Sequence, residues 1–128
     1  MALPDRAYLL AWLAAFAATQ LIEVPIYLWR CVPRRPWVAV GASGWTHPML
    51  WFVAVPVWRA HAVQWAPQFG LEDLNQAEFA FVVTCEVAIV LGEGLWLRGW
   101  RATRPWTWAL VANATSFAVG ELIYWVTM

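Results

Sequence analysis

The sequence predicts an all-α, polytopic membrane protein in which four transmembrane helices form two similar helical hairpins. Of the 128 residues, 62% are hydrophobic and 12% are charged, whereas a soluble domain is about 45–50% apolar and about 25% charged. The apolar residues also stand in long continuous runs without strand-like alternation. Because backbone groups inside the hydrocarbon must be hydrogen-bonded within the protein, such runs indicate helices. The whole chain, residues 1–128, is therefore predicted to be one integral membrane domain.

The first two predicted spans cover residues 7–29 and 37–58. Asp5 is expected to cap the start of the first span, and Pro25 is expected to kink it. Pro36 suits the first turn of the second span. A cleavable signal peptide is the rival interpretation of the first span. The apolar run continues past the small residues that would form its cleavage site, which argues against that alternative.

The third and fourth predicted spans cover residues 77–97 and 106–128, and they follow a semi-polar connection over residues 59–76. Asn75, with Glu78 three residues later, is the predicted cap of the third span. This span carries Glu86 and Glu93 well inside its apolar run. An ionisable group at that depth costs at least ~2.5–3.5 kcal/mol. The other helices are therefore expected to be arranged around these two carboxylates.

The arginines predict the orientation of the chain, which has no lysine. Most of them fall in the two turns that separate the first span from the second and the third from the fourth. These arginines are Arg30, Arg34, Arg35, Arg98, Arg101 and Arg104. The positive-inside rule places both turns in the cytoplasm and both termini outside, most simply in a bacterial inner membrane. The formal net charge is zero, so nothing indicates nucleic acid as a partner.

An internal repeat is predicted from polar positions that recur at similar spacing. Glu23 precedes Arg35-Pro36-Trp37 much as Glu93 precedes Arg104-Pro105-Trp106. Each turn is then followed by a polar pair three residues apart: Ser43 with Thr46, and Asn113 with Ser116. Residues 7–58 and 77–128 would then be duplicated hairpins related by an axis along the membrane normal. The alternative is that arginine, proline and tryptophan are simply favoured at the cytoplasmic ends of spans.

Polar residues from every span are predicted to form two adjacent layers inside the bundle. Their depths follow from a rise of ~1.5 Å per residue along each helix. The candidate site residues are Gln20, Glu23, Ser43, Thr46, His47, Glu86, Glu93, Asn113 and Ser116. The small and amide side chains are of the kind that hold membrane helices together. Several carboxylates with a histidine exceed what packing needs, and they indicate a functional polar interior.

Three functions remain open at this point. The favoured one is a proton- or cation-linked transporter or channel centred on Glu23, His47, Glu86 and Glu93. A second is a metal-dependent membrane enzyme with the same four residues as ligands, although the Glu-x-x-His pairs of di-metal bundles are absent. A third is a non-catalytic subunit of a larger membrane complex. No organic cofactor is predicted. Besides the lipid bilayer, the expected partners are further copies of the chain or other membrane subunits, because four spans leave little room for a path.

Short motifs distributed along the chain resemble a group of short four-span bacterial membrane proteins. That group has a Glu beside a Pro in the first span, Asn-x-x-Thr-(His/Asn)-Pro in the second, a Glu-rich third span and Asn-x-x-Ser in the last. The matching segments are Glu23-Val24-Pro25, Ser43-Gly44-Trp45-Thr46-His47-Pro48, Glu86 with Glu93, and Asn113-Ala114-Thr115-Ser116. Ser43 stands where the group has Asn. The resemblance covers most of the chain and implies no assigned function.

Overall fold

The computed structural model describes residues 5–71 and 73–127, and this part of the chain contains helices and turns but no strand. The α-helices are α1 (Arg6–Ile26), α2 (Pro36–Met49), α3 (Val55–Trp65), α4 (Leu74–Gly99) and α5 (Pro105–Thr127). Within the described residues, three helical stretches are long and apolar enough to cross a membrane. They are Arg6–Cys31, Pro36–Phe69 and Leu74–Gly99. The predictions of an all-helical chain and of several membrane-compatible helices are confirmed.

Two prolines lie inside long helices, and each is followed by a change in the backbone hydrogen-bonding pattern. Pro25 lies in α1, which continues as a π-helical turn over Tyr27–Cys31. Pro48 lies in α2, which continues as a π-helical turn over Leu50–Ala54. Proline has no N–H to donate and its ring crowds the carbonyl four residues earlier, so the regular ladder is disturbed there. Tyr27, the first residue of the turn after Pro25, is fully buried.

The second long helix extends further than the sequence predicted. α3 runs from the π-helical turn to Trp65, and a 3₁₀ turn, Ala66–Phe69, follows it. The semi-polar segment predicted to connect the second and third spans from residue 59 onward is therefore partly helical, since its alanines favour helix. The chain turns at Gly70, whose φ of 72° lies in the left-handed region that glycine adopts without strain.

The N-terminal cap of α1 agrees with the prediction, whereas that of α4 differs from it. Asp5 caps α1 as expected, because its Oδ1 accepts a hydrogen bond of 2.7 Å from the backbone N–H of Tyr8. α4 is capped by Asp73, whose Oδ1 accepts from the backbone N–H of Asn75 at 3.0 Å. The prediction of Asn75 as the cap was wrong by two residues. Aspartate and asparagine cap helices about equally well, so sequence preference alone did not separate them.

The long helices form a ring in which α1 packs against α2 and α5, and α4 also packs against α2 and α5. Small residues let the helices approach closely. Gly94 of α4 faces the ring of Trp106 of α5, where an added Cβ would lie only 2.3 Å from the indole. Alanines on the inner faces, including Ala39 and Ala109, are fully buried. Membrane helices associate through such small-residue packing, since lipid provides no hydrophobic driving force between them.

The two arginine-rich turns meet at one end of this ring. The backbone N–H of Thr103 donates to the carbonyl of Cys31 at 3.0 Å. Arg35 donates from Nη1 to the carbonyl of Trp100, also at 3.0 Å. The indole of Trp96 adds a third link, because its Nε1 donates to the carbonyl of Val38 at 3.0 Å. These bonds fix the relative height of the helices, and thereby the height of the polar residues that they carry.

Candidate functional site

Glu93 lies at the centre of the candidate site. Its side chain is fully buried. Thr46 Oγ1 donates to Glu93 Oε1 at 2.8 Å, and Asn113 Nδ2 donates to Glu93 Oε2 at 2.9 Å. The hydroxyl of Tyr27 also donates to Glu93 Oε2. Three neutral donors from three other helical segments therefore converge on one carboxyl group, an arrangement that stabilises a negative charge.

Glu23 is as deeply buried as Glu93 but has fewer donors around it. Its exposed fraction is 1%. Glu23 Oε1 lies 2.6 Å from Ser116 Oγ, while Glu23 Oε2 is buried without a hydrogen-bond partner. Ser116 Oγ also lies 3.1 Å from the carbonyl oxygen of Asn113. A serine hydroxyl has only one hydrogen, so it can donate to the carboxyl group or to the carbonyl, but not fully to both.

The two carboxyl groups have corresponding hydroxyl partners. The same number of residues separates Glu23 from Thr46 and Glu93 from Ser116. Thr46 bonds to Glu93 and Ser116 bonds to Glu23, so each hydroxyl contacts the carboxyl group of the other half of the chain. Tyr27 has no such counterpart. The residue four positions after Glu93 is Leu97, which cannot donate a hydrogen bond, so Glu93 has a donor that Glu23 lacks.

Other buried polar groups near the pair have incomplete hydrogen bonding. Gln20 Nε2 donates to Ser43 Oγ at 3.1 Å, but Gln20 Oε1 is buried without a partner. His47 Nδ1 is also buried without one. The His47 ring lies against Phe16 and Trp51, with centroids 5.4 and 6.1 Å away. Such atoms are costly to bury unless water, an ion or a mobile proton satisfies them.

These side chains surround a small cavity of about 110 Å³ at the middle of the ring. Residues of α1, α2, α4 and α5 all line this cavity. The polar lining residues are Thr19, Glu23, Ser43, Thr46, His47, Glu86, Glu93, Asn113 and Ser116. Since water occupies about 30 Å³ in the liquid, the volume suits roughly three waters or one partly hydrated cation. Glu86 also lines this cavity. Its side chain is half-buried and has no hydrogen bond to any described residue.

The structure brings the sequence-predicted residues together. Eight of the nine candidates line the cavity, and Gln20, the ninth, bonds to Ser43 on its wall. Tyr27 was not among the candidates. Its signal was present in the sequence, because Gln20, Glu23 and Tyr27 share one face of a helix at three- and four-residue spacing.

The arrangement gives the metal-enzyme alternative no support. Among the described residues, no three His, Cys, Asp or Glu side chains are grouped closely enough to hold a metal ion. His47 faces aromatic rings and Glu93 is surrounded by hydrogen-bond donors, which compete with a metal for its oxygens.

Comparison of the chain with models of protein families, with curated proteins and with solved structures gives no match in any of the three. The function is therefore inferred from the chemistry and geometry of the cavity.

Proposed function

We propose that the protein binds and releases protons at the Glu23–Glu93 pair, as the centre of a proton- or cation-linked transport or channel activity in the bacterial inner membrane. One observation carries this proposal. Two fully buried carboxyl groups, from α1 and α4, line a single cavity, and all their hydrogen-bond partners are neutral. Ionisable residues at membrane depth face bundle interiors and mark proton or ion paths.

The hydrogen bonds suggest which of the two carboxyl groups holds the proton. Glu93 accepts from three donors and is the one suited to carry charge. If Glu23 is protonated, it donates to Ser116, and Ser116 donates its own hydrogen to the Asn113 carbonyl. Both short contacts are then satisfied. If Glu23 were charged, a buried anion would have one donor and one bare oxygen, which is unfavourable beside a second carboxylate.

Glu86 is the group that links this pair to the surroundings of the bundle. Its side chain lines the cavity but is only half-buried, and no hydrogen bond to a described residue holds it in place. Waters in the cavity can carry a proton between Glu86 and Glu23. His47 lines the same cavity from α2, and its Nδ1, which has no hydrogen-bond partner, supplies a second proton acceptor.

The proposed topology has four spans, with α5 as the fourth. α5 has 23 residues, which at ~1.5 Å per residue gives a length above the ~30 Å of hydrocarbon. It packs against both α1 and α4. The matched Glu–hydroxyl spacings support a duplicated hairpin, residues 7–58 and 77–128. The arginine-rich turns at one end support an orientation with those turns in the cytoplasm and both termini outside.

The size of the cavity supports assembly into a larger complex. A volume of about 110 Å³ holds a few waters and is too small for a continuous aqueous path. We propose that the protein associates with further copies of itself or with other membrane subunits. In a complex with unlike subunits, the chain would be a proton-handling subunit and not a complete transporter. The mass of the complex purified from its native membrane distinguishes an assembly of identical chains from an assembly with other membrane subunits.

Proton flux in liposomes that contain the complex purified from its native membrane tests the proposed function. Glu23→Gln removes the exchangeable proton while keeping the shape of the side chain, so flux is expected to fall by about tenfold or more. Asp73→Asn is the matched control: it also converts a carboxyl group to an amide, but at the helix cap, where Asn caps equally well. The readout is acidification of a trapped pH-sensitive dye under an imposed gradient. Equal flux in wild type and Glu23→Gln, or wild-type flux no higher than in empty liposomes, contradicts the proposal.

A further inference from the structure

A series of cavities runs along the interface of α4 and α5 and ends at the proton-binding cavity. The outermost has a volume of about 410 Å³ and includes Glu78 and Glu121 in its lining. The next is a groove of about 430 Å³ between the two helices, which shares Val82 and Phe117 with the first. This groove shares Glu86, Asn113 and Phe117 with the central cavity. Carboxyl groups therefore lie at the mouth of the groove and at its inner wall.

The lining of the groove is almost entirely apolar. Besides Glu86 and Asn113, its walls consist of Val82, Val83, Val87, Val90, Leu91, Leu110, Ala114 and Phe117. An inorganic cation would lose water here and find few oxygen ligands in return. Wall residues such as Val87 and Leu110 are exposed and face lipid, so a molecule with an apolar body enters the groove from the bilayer without the dehydration cost of an inorganic ion. The volume of the groove also lies in the range of about 300–1,000 Å³ that is usual for small-molecule sites.

The charge of the lining residues determines which apolar molecules the groove favours. Among the described residues, no arginine or histidine lines the groove or its mouth, and the ionisable groups there are the carboxyl groups of Glu78, Glu86 and Glu121. Glu86 has no hydrogen bond to a described residue, so its carboxylate is available to a ligand. An acidic mouth attracts cations, and the half-buried carboxylate of Glu86, which has no hydrogen-bonded partner, favours a positive ligand over a neutral or negative one.

We propose that the α4–α5 groove binds an organic cation with a large apolar body, and that its positive charge lies beside Glu86. Phe117 lines the groove, its mouth and the central cavity, and forms part of the wall between them. The central cavity has about a quarter of the groove's volume, so the apolar body stays in the groove while its charge faces the proton site. This proposal extends the proton-linked function by naming a ligand class, but the binding itself needs no proton transfer.

Equilibrium dialysis with radiolabelled tetraphenylphosphonium tests the proposal on the full chain purified in detergent. Wild type is expected to bind the probe saturably, and neutral triphenylphosphine oxide is expected not to displace it. Glu86→Gln removes the charge with little change of shape and should weaken binding by about tenfold or more, a factor that corresponds to 1.4 kcal/mol. Ala114→Trp fills the groove and should weaken binding similarly.

Ala118→Trp is the matched control, because Ala118 is exposed on α5 and does not line the groove. It is expected to bind the probe like wild type. Proton flux and probe binding are measured separately on wild type, which distinguishes failure of the groove from failure of the proton site. The proposal is overturned if wild type shows no saturable binding, if Glu86→Gln binds as tightly as wild type, or if the two tryptophan variants bind equally.

Discussion

Replacing Glu93 by Leu is expected to lower the free energy of unfolding by about 2–5 kcal/mol, since each buried donor left without an acceptor costs about 1–3 kcal/mol. The hydroxyl of Tyr27 and Thr46 Oγ1 both lose their carboxyl acceptor. Asn113 is affected less, because its Nδ2 also donates to the carbonyl of Ala109 at 2.9 Å. Titration with sodium dodecyl sulfate in mixed micelles, followed by circular dichroism, measures the change.

Glu86→Leu is the control for this prediction, because it makes the same substitution on the same helix. Glu86 has no hydrogen bond to any described residue, so its replacement leaves no donor unsatisfied. We expect the stability of this variant to equal or exceed that of wild type. Glu93→Gln should fall between the two, since its amide still offers an oxygen to Tyr27 and Asn113. Equal losses of stability in the two leucine variants would show that Glu93 is not the organising acceptor.

Gly94→Ala is expected to destabilise the packing of α4 against α5. An added Cβ would lie 2.3 Å from Trp106 Cε3. The indole ring would have to move to relieve this steric clash. Overpacking of this kind costs typically about 1–3 kcal/mol. Gly99→Ala is the control on the same helix, because nothing lies within 4 Å of its added Cβ. The same detergent titration measures both, and a Gly94→Ala variant as stable as Gly99→Ala contradicts the described contact of Gly94 with Trp106.

The helical class of the chain could be predicted because it follows from composition and run length. The long apolar stretches leave no other way to satisfy the backbone within a bilayer. The polar side chains of residues 59–65 predicted a connection between spans, and the same residues continue the helix to the end of α3. Hydropathy marks where a chain leaves the hydrocarbon, and it does not mark where a helix ends.

The residues that form the candidate site could be predicted from the sequence, but the hydrogen bonds between them could not. Depth counting along the helices placed Glu23, Glu93 and Asn113 in one layer and Gln20, His47, Glu86 and Ser116 in the adjacent one, because the rise per residue is fixed. It did not identify which hydroxyl bonds which carboxyl group, since that depends on the order of helices around the ring. It also missed Tyr27, which lies one turn after Glu23 on the same helix face and donates to Glu93.

In the proposed site the paired buried carboxyl groups share one proton, held by Glu23 while Glu93 carries the charge. Infrared spectroscopy measures this directly, because a protonated carboxyl group has a C=O stretch that shifts in D₂O. The comparison uses Glu86→Gln as the background, which removes the third carboxyl group of the cavity. We predict that adding Glu23→Gln eliminates the buried C=O band and that adding Glu93→Gln retains it. A band that survives Glu23→Gln and disappears with Glu93→Gln would contradict the account.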